Sequence, residues 1–260
     1  MGGGGHYVTY LARLRMMLIF AVGVAIFAAA AVAMTVQPVI VDLSTTGSRT
    51  SQVVTVENSF TTPLPIELRA TEADFKDGAL VASTREAKDL LIFPPQAIVP
   101  PGRSQSFRIQ WIGDPDIKTS RHFFLTVAQL PVKLPAGQSA VQILYNFQVI
   151  VSVAAPGAKS AIEVKSAEAV KGVDGKVRLL LNLQNQSNTY GYLAEGTLKI
   201  LQKDRQGKEV FKKSMNSAEI QQQFGYGLVG AGQVRKLQTP LELPLDGGSV
   251  EAVYTSKSRR

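Results

Sequence analysis

Seven short runs between Thr35 and Val153 are rich in β-branched and aromatic residues, and each is bounded by Gly, Pro, Ser, Asn or Asp. They are Thr35–Leu43, Gln52–Asn58, Leu64–Thr71, Asp89–Phe93, Gln105–Trp111, Arg121–Leu130 and residues 140–153. Runs of this length and composition, punctuated by turn formers, restrict this half of the chain to β structure. Several alternate: in SQSFRIQW, Phe107, Ile109 and Trp111 fall on one face and Arg108 on the other. The last run, AVQILYNFQVIVSV, is apolar at every odd position from Val141 through Ile143, Tyr145, Phe147, Val149 and Val151 to Val153, and adds Leu144 and Ile150 on its even face. A half-buried strand needs one apolar face. This one has a surplus that something must cover.

Seven strands with these turn signals fit an immunoglobulin-like β-sandwich over residues 34–154. The pattern breaks at Pro156 and Gly157 in APGAKS, so residues 155–160 read as a linker. Beyond it, Ile162–Val170, Lys176–Leu183 and Thr197–Gln202 are again strand-like, and residues 161–260 read as a second β-sandwich domain. After Lys213 the pattern weakens; the Gln- and Gly-rich stretch from Ser214 to Gly232 is expected to be loop and short strand. The fold class is therefore all-β, with two immunoglobulin-like domains after an N-terminal signal.

That signal is read from Arg13 and Arg15, the apolar run from Met16 to Ala30, and Ala31-Val32-Ala33. Charged, apolar and small-residue regions in this order predict a signal peptide over residues 1–33, cleaved after Ala33; the alternative is an uncleaved membrane anchor. Removal leaves 227 of the 260 residues, enough for two cores, with 26 Lys and Arg against 20 Asp and Glu. The basic excess reads as scattered solvated surface, densest at Lys257, Arg259 and Arg260. Export argues against nucleic acid, and the processed chain is expected not to be embedded in a membrane. No cysteine is present, so packing and ladder hydrogen bonds alone must hold both domains.

Chemistry is hard to place. From Met34 on there is one histidine, His122 in SRHFFL, and it reads as a structural or surface residue. No G-x-S-x-G elbow, P-loop or dinucleotide fingerprint accompanies it. Glu72, Asp74 and Asp77 read as loop residues without the ligand spacing of a calcium site. The chain is expected to be no enzyme, to hold no metal or cofactor, and to act by binding.

LLIFPPQAIVPPGRSQSFRIQW, SRHFFLTVAQLPV and VQILYNFQVIVSV follow one another in the order and spacing of a known family. They resemble the PapD-like periplasmic chaperones of the chaperone–usher pilus pathway over about residues 35–156. In the second domain the resemblance rests on β content and LQNQSNTYGYL. Pro94-Pro95 and Pro100-Pro101-Gly102 suggest a donor-poor edge and a tight turn where the chain does not pair. The resemblance implies that the last strand of domain one donates apolar side chains to a pilus subunit, and that the subunit is handed to an outer-membrane usher. Carried over, the donor residues are Val141, Ile143 and Tyr145, with Phe147 next; Leu144 and Ile150 would lie against the chain's own core or interface.

Three positions depart from that family. Its carboxylate-holding Arg and Lys correspond to Pro38 or Val39 and to Ile150, none of them basic, and its interdomain acid corresponds to Gln129. A buried carboxylate needs a charged or hydrogen-bonded partner. Arg108 and Arg103 are the substitutes the sequence offers, and the divergence resembles the archaic branch. The competing reading is a secreted two-domain adhesin or structural pilus component; a complete seventh strand in domain one argues against it. An envelope hydrolase lacks a nucleophile and base.

Overall fold

A computed structural model describes residues 34–132 and 143–257. The expected cleavage point and Val141 lie outside these residues. In domain one the strands are β1 (Met34–Gln37), β2 (Ile40–Ser44), β3 (Ser51–Asn58), β4 (Leu64–Lys76), β5 (Ala79–Glu86), β6 (Leu90–Phe93), β7 (Gln96–Val99), β8 (Ser104–Trp111), β9 (Arg121–Gln129) and β10 (Asn146–Ala154). One sheet has the order β1-β3-β8-β6; the other runs β2-β10-β9-β4-β5, with β7 also paired to β4. Alternate residues of both sheets, including Val54, Phe107, Ile109, Leu125, Val127, Val149 and Val151, are fully buried between them. The core is thus a two-sheet sandwich, as the alternation predicts.

Three details differ from the sequence reading. Thr35–Leu43 is two strands in two sheets, because Pro38 donates no ladder hydrogen bond and the chain crosses over there. Glu72 and Asp74 lie within β4 instead of a loop, in a long hairpin turned by Asp77 and Gly78 at φ 52° and 75°; a mirror-image two-residue turn needs such angles, and Asp-Gly supplies them. The Pro95–Pro100 segment does pair: β7 binds the first residues of β4, Leu64 opposite Val99.

Domain two comprises β11 (Ile162–Lys171), β12 (Val177–Asn185), β13 (Gly191–Tyr192), β14 (Gly196–Lys203), β15 (Glu209–Met215), α1 (Ser217–Phe224), β16 (Leu228–Val229), β17 (Val234–Glu242) and β18 (Ser249–Ser256). A six-stranded sheet, β15-β14-β18-β11-β12-β17, is joined at its middle by one residue pair, Ala167 with Val250. Its two halves curl round one core, since Leu179 and Leu181 of β12 and Leu198 and Ile200 of β14 share a cluster. The helix α1 corrects the expectation of loop over Ser214–Gly232. Its start is a capping box: Asn216 accepts from the Ala218 and Glu219 amides while Glu219 accepts from the Asn216 amide, and Ile220 is its buried anchor.

Candidate functional site

The β-branched content of β10 makes it a strand, and its odd face builds the domain: Val149, Val151 and Val153 are fully buried, and Phe147 is half-buried against the same core. Antiparallel pairing to β9 runs the whole way, from Asn146 opposite Ala128 to Val153 opposite Arg121. On the other side the parallel partner β2 covers only Ile150 to Ala154. The Ile150 amide donates to the Val39 carbonyl at 3.0 Å, so even residues point their main-chain groups toward β2. By the strand period, those of Asn146 and Gln148 face the same side, where no strand pairs among the described residues. Half of β10 is an open edge.

The segment entering that edge is apolar and uncovered. Ile143 is 71% exposed, Leu144 42% and Tyr145 39%. Tyr145 is held by Gln129, whose amide donates to its carbonyl at 2.9 Å, and its ring lies 5.9 Å from that of Phe60. Exposed Leu144 corrects the expectation that it packs inside. Ile150 does meet that expectation: with Ile40, Phe75, Leu80 and Ala154 it packs on Tyr190, Tyr192 and Leu228 between the domains.

This junction is polar at its centre. The hydroxyls of Tyr190 and Tyr192 both donate to Asp42 Oδ1, at 2.7 and 2.8 Å. Burial, then the Asp42 charge, raises the Tyr192 hydroxyl above its ordinary range. His122 Nδ1 shares a 2.9 Å hydrogen bond with Ser152 Oγ, and burial lowers its pKa to about 4, so the ring is neutral. Phe75, His122, Tyr190, Tyr192 and Tyr226 stack edge to face with centroids 5.0 to 5.8 Å apart, carrying one aromatic column across the junction. The β4–β5 hairpin braces it: a Cβ on Gly78 would lie 2.5 Å from the Val234 carbonyl oxygen, and one on Gly230 would lie 2.3 Å from the Phe75 ring.

A cleft of about 360 Å³ beside it is lined by Glu72, Phe75, Arg121, His122 and Gln233 among others. Its cation is already neutralised, since Arg121 pairs with Glu72 and Asp89. Neither suggested anchor lies on the sheet that holds β10. Arg108 is exposed on β8 of the opposite sheet, and Arg103 precedes that strand. No cluster of His, Asp and Glu among the described residues could hold a metal ion, and no described helix is long and apolar enough to cross a membrane.

No family model matches the chain, and no curated protein does. Among solved structures it is similar to the class 5 fimbriae chaperone CfaA, at 12% identity and TM-score 0.49, covering 88% of this chain and 100% of that one. The complex of the Salmonella enterica SafA pilin with the SafB chaperone aligns at 13% identity and TM-score 0.49, covering 88% and 99%. The CsuC–CsuE pre-assembly complex from archaic chaperone–usher Csu pili of Acinetobacter baumannii aligns at 12% and 0.46, covering 79% and 89%.

Proposed function

We propose that this chain is a periplasmic chaperone of the chaperone–usher type, which binds pilus subunits through the strand leading into β10 and delivers them to an outer-membrane usher. One observation carries the reading: the open half-edge of β10 is continuous with the exposed apolar residues Ile143, Leu144 and Tyr145. An unpaired main-chain edge flanked by alternating apolar side chains is what strand addition requires. Val141, Ile143 and Tyr145 are the donor residues. Phe147 serves both sides, because part of its ring already packs on the domain's own core. An added strand ends where β2 begins, at Ile40, and an anchor for its chain end at Arg108 or Arg103 would act from the far sheet.

Domain one is closed by its own last strand, set between β2 and β9. That favours a donor of strand residues over a pilus component that lacks one. The test is co-purification from a periplasmic extract that contains the co-expressed pilus subunits. The parent should capture a subunit, and Ile143→Asn and Tyr145→Asn should lose it while melting normally. Undiminished capture by both variants would sink the reading.

A further inference from the structure

Charge divides unevenly between the domains. Residues 34–154 hold ten Lys and Arg and ten Asp and Glu, whereas residues 155–260 hold sixteen against ten. The excess that reads as scattered in the sequence therefore lies beyond residue 154, all but Lys159 of it in domain two. Such asymmetry between halves of a chain points to a charged partner.

Within domain two the cations behave in two ways. Around β11 and β12 they are neutralised locally: Lys165 pairs with Glu163, Lys171 with Asp246, Lys176 with Glu242 and Arg178 with Asp174. The hairpin β14–β15 differs. Residues 196–215 carry six cations, Lys199, Lys203, Arg205, Lys208, Lys212 and Lys213, against Asp204 and Glu209. Lys203 pairs with Glu251 and Lys213 donates to the Gln223 amide oxygen, but Lys199, Arg205, Lys208 and Lys212 have no ion pair among the described residues.

Register collects them on one face. Lys199 stands between Ser214 and Val253, and the next outward row is Lys212, Leu201 and Glu251. Arg205 and Lys208 lie in the turn at one end of these rows; Lys257 follows β18 at the other. The paired stretch Gly196–Lys203 is about 26 Å long at ~3.3 Å per residue. Lysines often guard a sheet edge against pairing, and β15 is an edge. Lys199 and Lys203 are on β14, which is paired on both sides, so edge protection does not account for them.

We propose that this outer face of β15-β14-β18 binds an anionic phospholipid surface. The face offers Val253, exposed, and Leu201, half-buried, but no aromatic or large apolar anchor of the kind on which protein interfaces and single-stranded nucleic acids depend. Flexible ammonium groups on a flat strip suit mobile headgroups, each adding a small electrostatic attraction.

The test is sedimentation of the chain from Met34 onward, which carries every described element, with vesicles of phosphatidylglycerol and phosphatidylethanolamine or of phosphatidylcholine alone. Binding to the anionic vesicles only, lost at high salt, is expected. Each lysine contributes about fivefold, so the triple change Lys199→Gln, Lys208→Gln, Lys212→Gln should weaken binding at least tenfold. The charge-matched triple Lys165→Gln, Lys171→Gln, Lys176→Gln should bind like the parent, with melting temperatures of all three proteins confirming the fold. Equal losses in the two triples would mean net charge alone acts and overturn the proposal. So would failure to bind anionic vesicles, even if polyglutamate were captured through the same lysines.

Discussion

Asn58 in domain one and Asn185 in domain two are both fully buried at a strand end. Asn58 Nδ2 donates to the Thr62 and Val99 carbonyls, and its Oδ1 accepts from the Phe60 amide. Asn185 Nδ2 donates to the Thr189 and Val229 carbonyls, and its Oδ1 accepts from the Ala161 and Ser187 amides. The two sandwiches thus fasten their loops by one device, a side-chain amide in place of missing ladder partners. They differ at their last strands. In domain two, β18 pairs with β14 along its whole length and with β11 at one residue pair, Ala167 with Val250, whereas in domain one β10 pairs with β9 from Asn146 to Val153 and with β2 from Ile150 to Ala154. Both last strands therefore keep unpaired main chain on one side, and what sets β10 apart is the run of exposed apolar residues, Ile143, Leu144 and Tyr145, that leads into it.

The comparison breaks first if β10 is not built as described. Val151→Asn puts an amide among fully buried side chains and should destabilise domain one by about 3 to 5 kcal/mol, by loss of apolar burial and by an unpaired polar group. Urea denaturation measures it; a loss below 1 kcal/mol would mean the odd face at 151 is not core. Asn58→Ala and Asn185→Ala should each cost about 2 to 3 kcal/mol, because buried carbonyls lose their donors. A large cost at only one of the two would show that the shared device is shared in appearance only.

The junction adds a pH dependence. His122 titrates near 6.5 when unfolded and at about 4 when folded, so between those values the unfolded chain binds more protons. Stability from this group is complete above about pH 6.5 and is lost as pH falls toward 4, amounting to about 3 kcal/mol at most. Thermal melts across pH 4 to 7 should show the decline, and His122→Gln should flatten it. An unchanged slope in the variant would assign the decline to other groups.

How much of this was legible in the sequence depended on whether pairing leaves a mark on residue type. Alternation in Phe107-Arg108-Ile109 and in Val149 to Val153 marks which side is core, so the sandwich could be read. The helix α1 escaped because its single buried apolar residue, Ile220, gives no periodicity among glutamines; the signal present was Asn216 with Glu219 three residues on. The β4–β5 hairpin was missed because Glu72, Asp74 and Arg85, which pair across it, look like loop charges. That β2 covers only half of β10 has no residue signature, since main-chain pairing does not depend on the side chain. Leu144 was misplaced for the same reason: the period puts it opposite Ile143, but nothing in the period says whether that other side is covered.

The smallest effects on the fold test the open edge most directly. Ile143 and Leu144 are both exposed, so replacing either with Asn removes little buried area, and surface changes usually stay within about 0.5 kcal/mol. Both variants should therefore melt with the parent. Their binding should part, because residues one apart on an extended strand point to opposite faces. Ile143 shares the face of Tyr145 and Phe147, which continues the apolar row of β10. A partner strand seated beside that row meets Ile143, and an asparagine there leaves an amide unpaired in an apolar groove, at about 1 to 3 kcal/mol or five- to more than hundredfold in affinity. Leu144 faces the other way and should cost less than fivefold. Titrating purified subunit against the two variants gives the ratio directly. If Leu144→Asn binds more weakly than Ile143→Asn, the donated face is the even one, and the partner approaches from the side opposite to that drawn from the core.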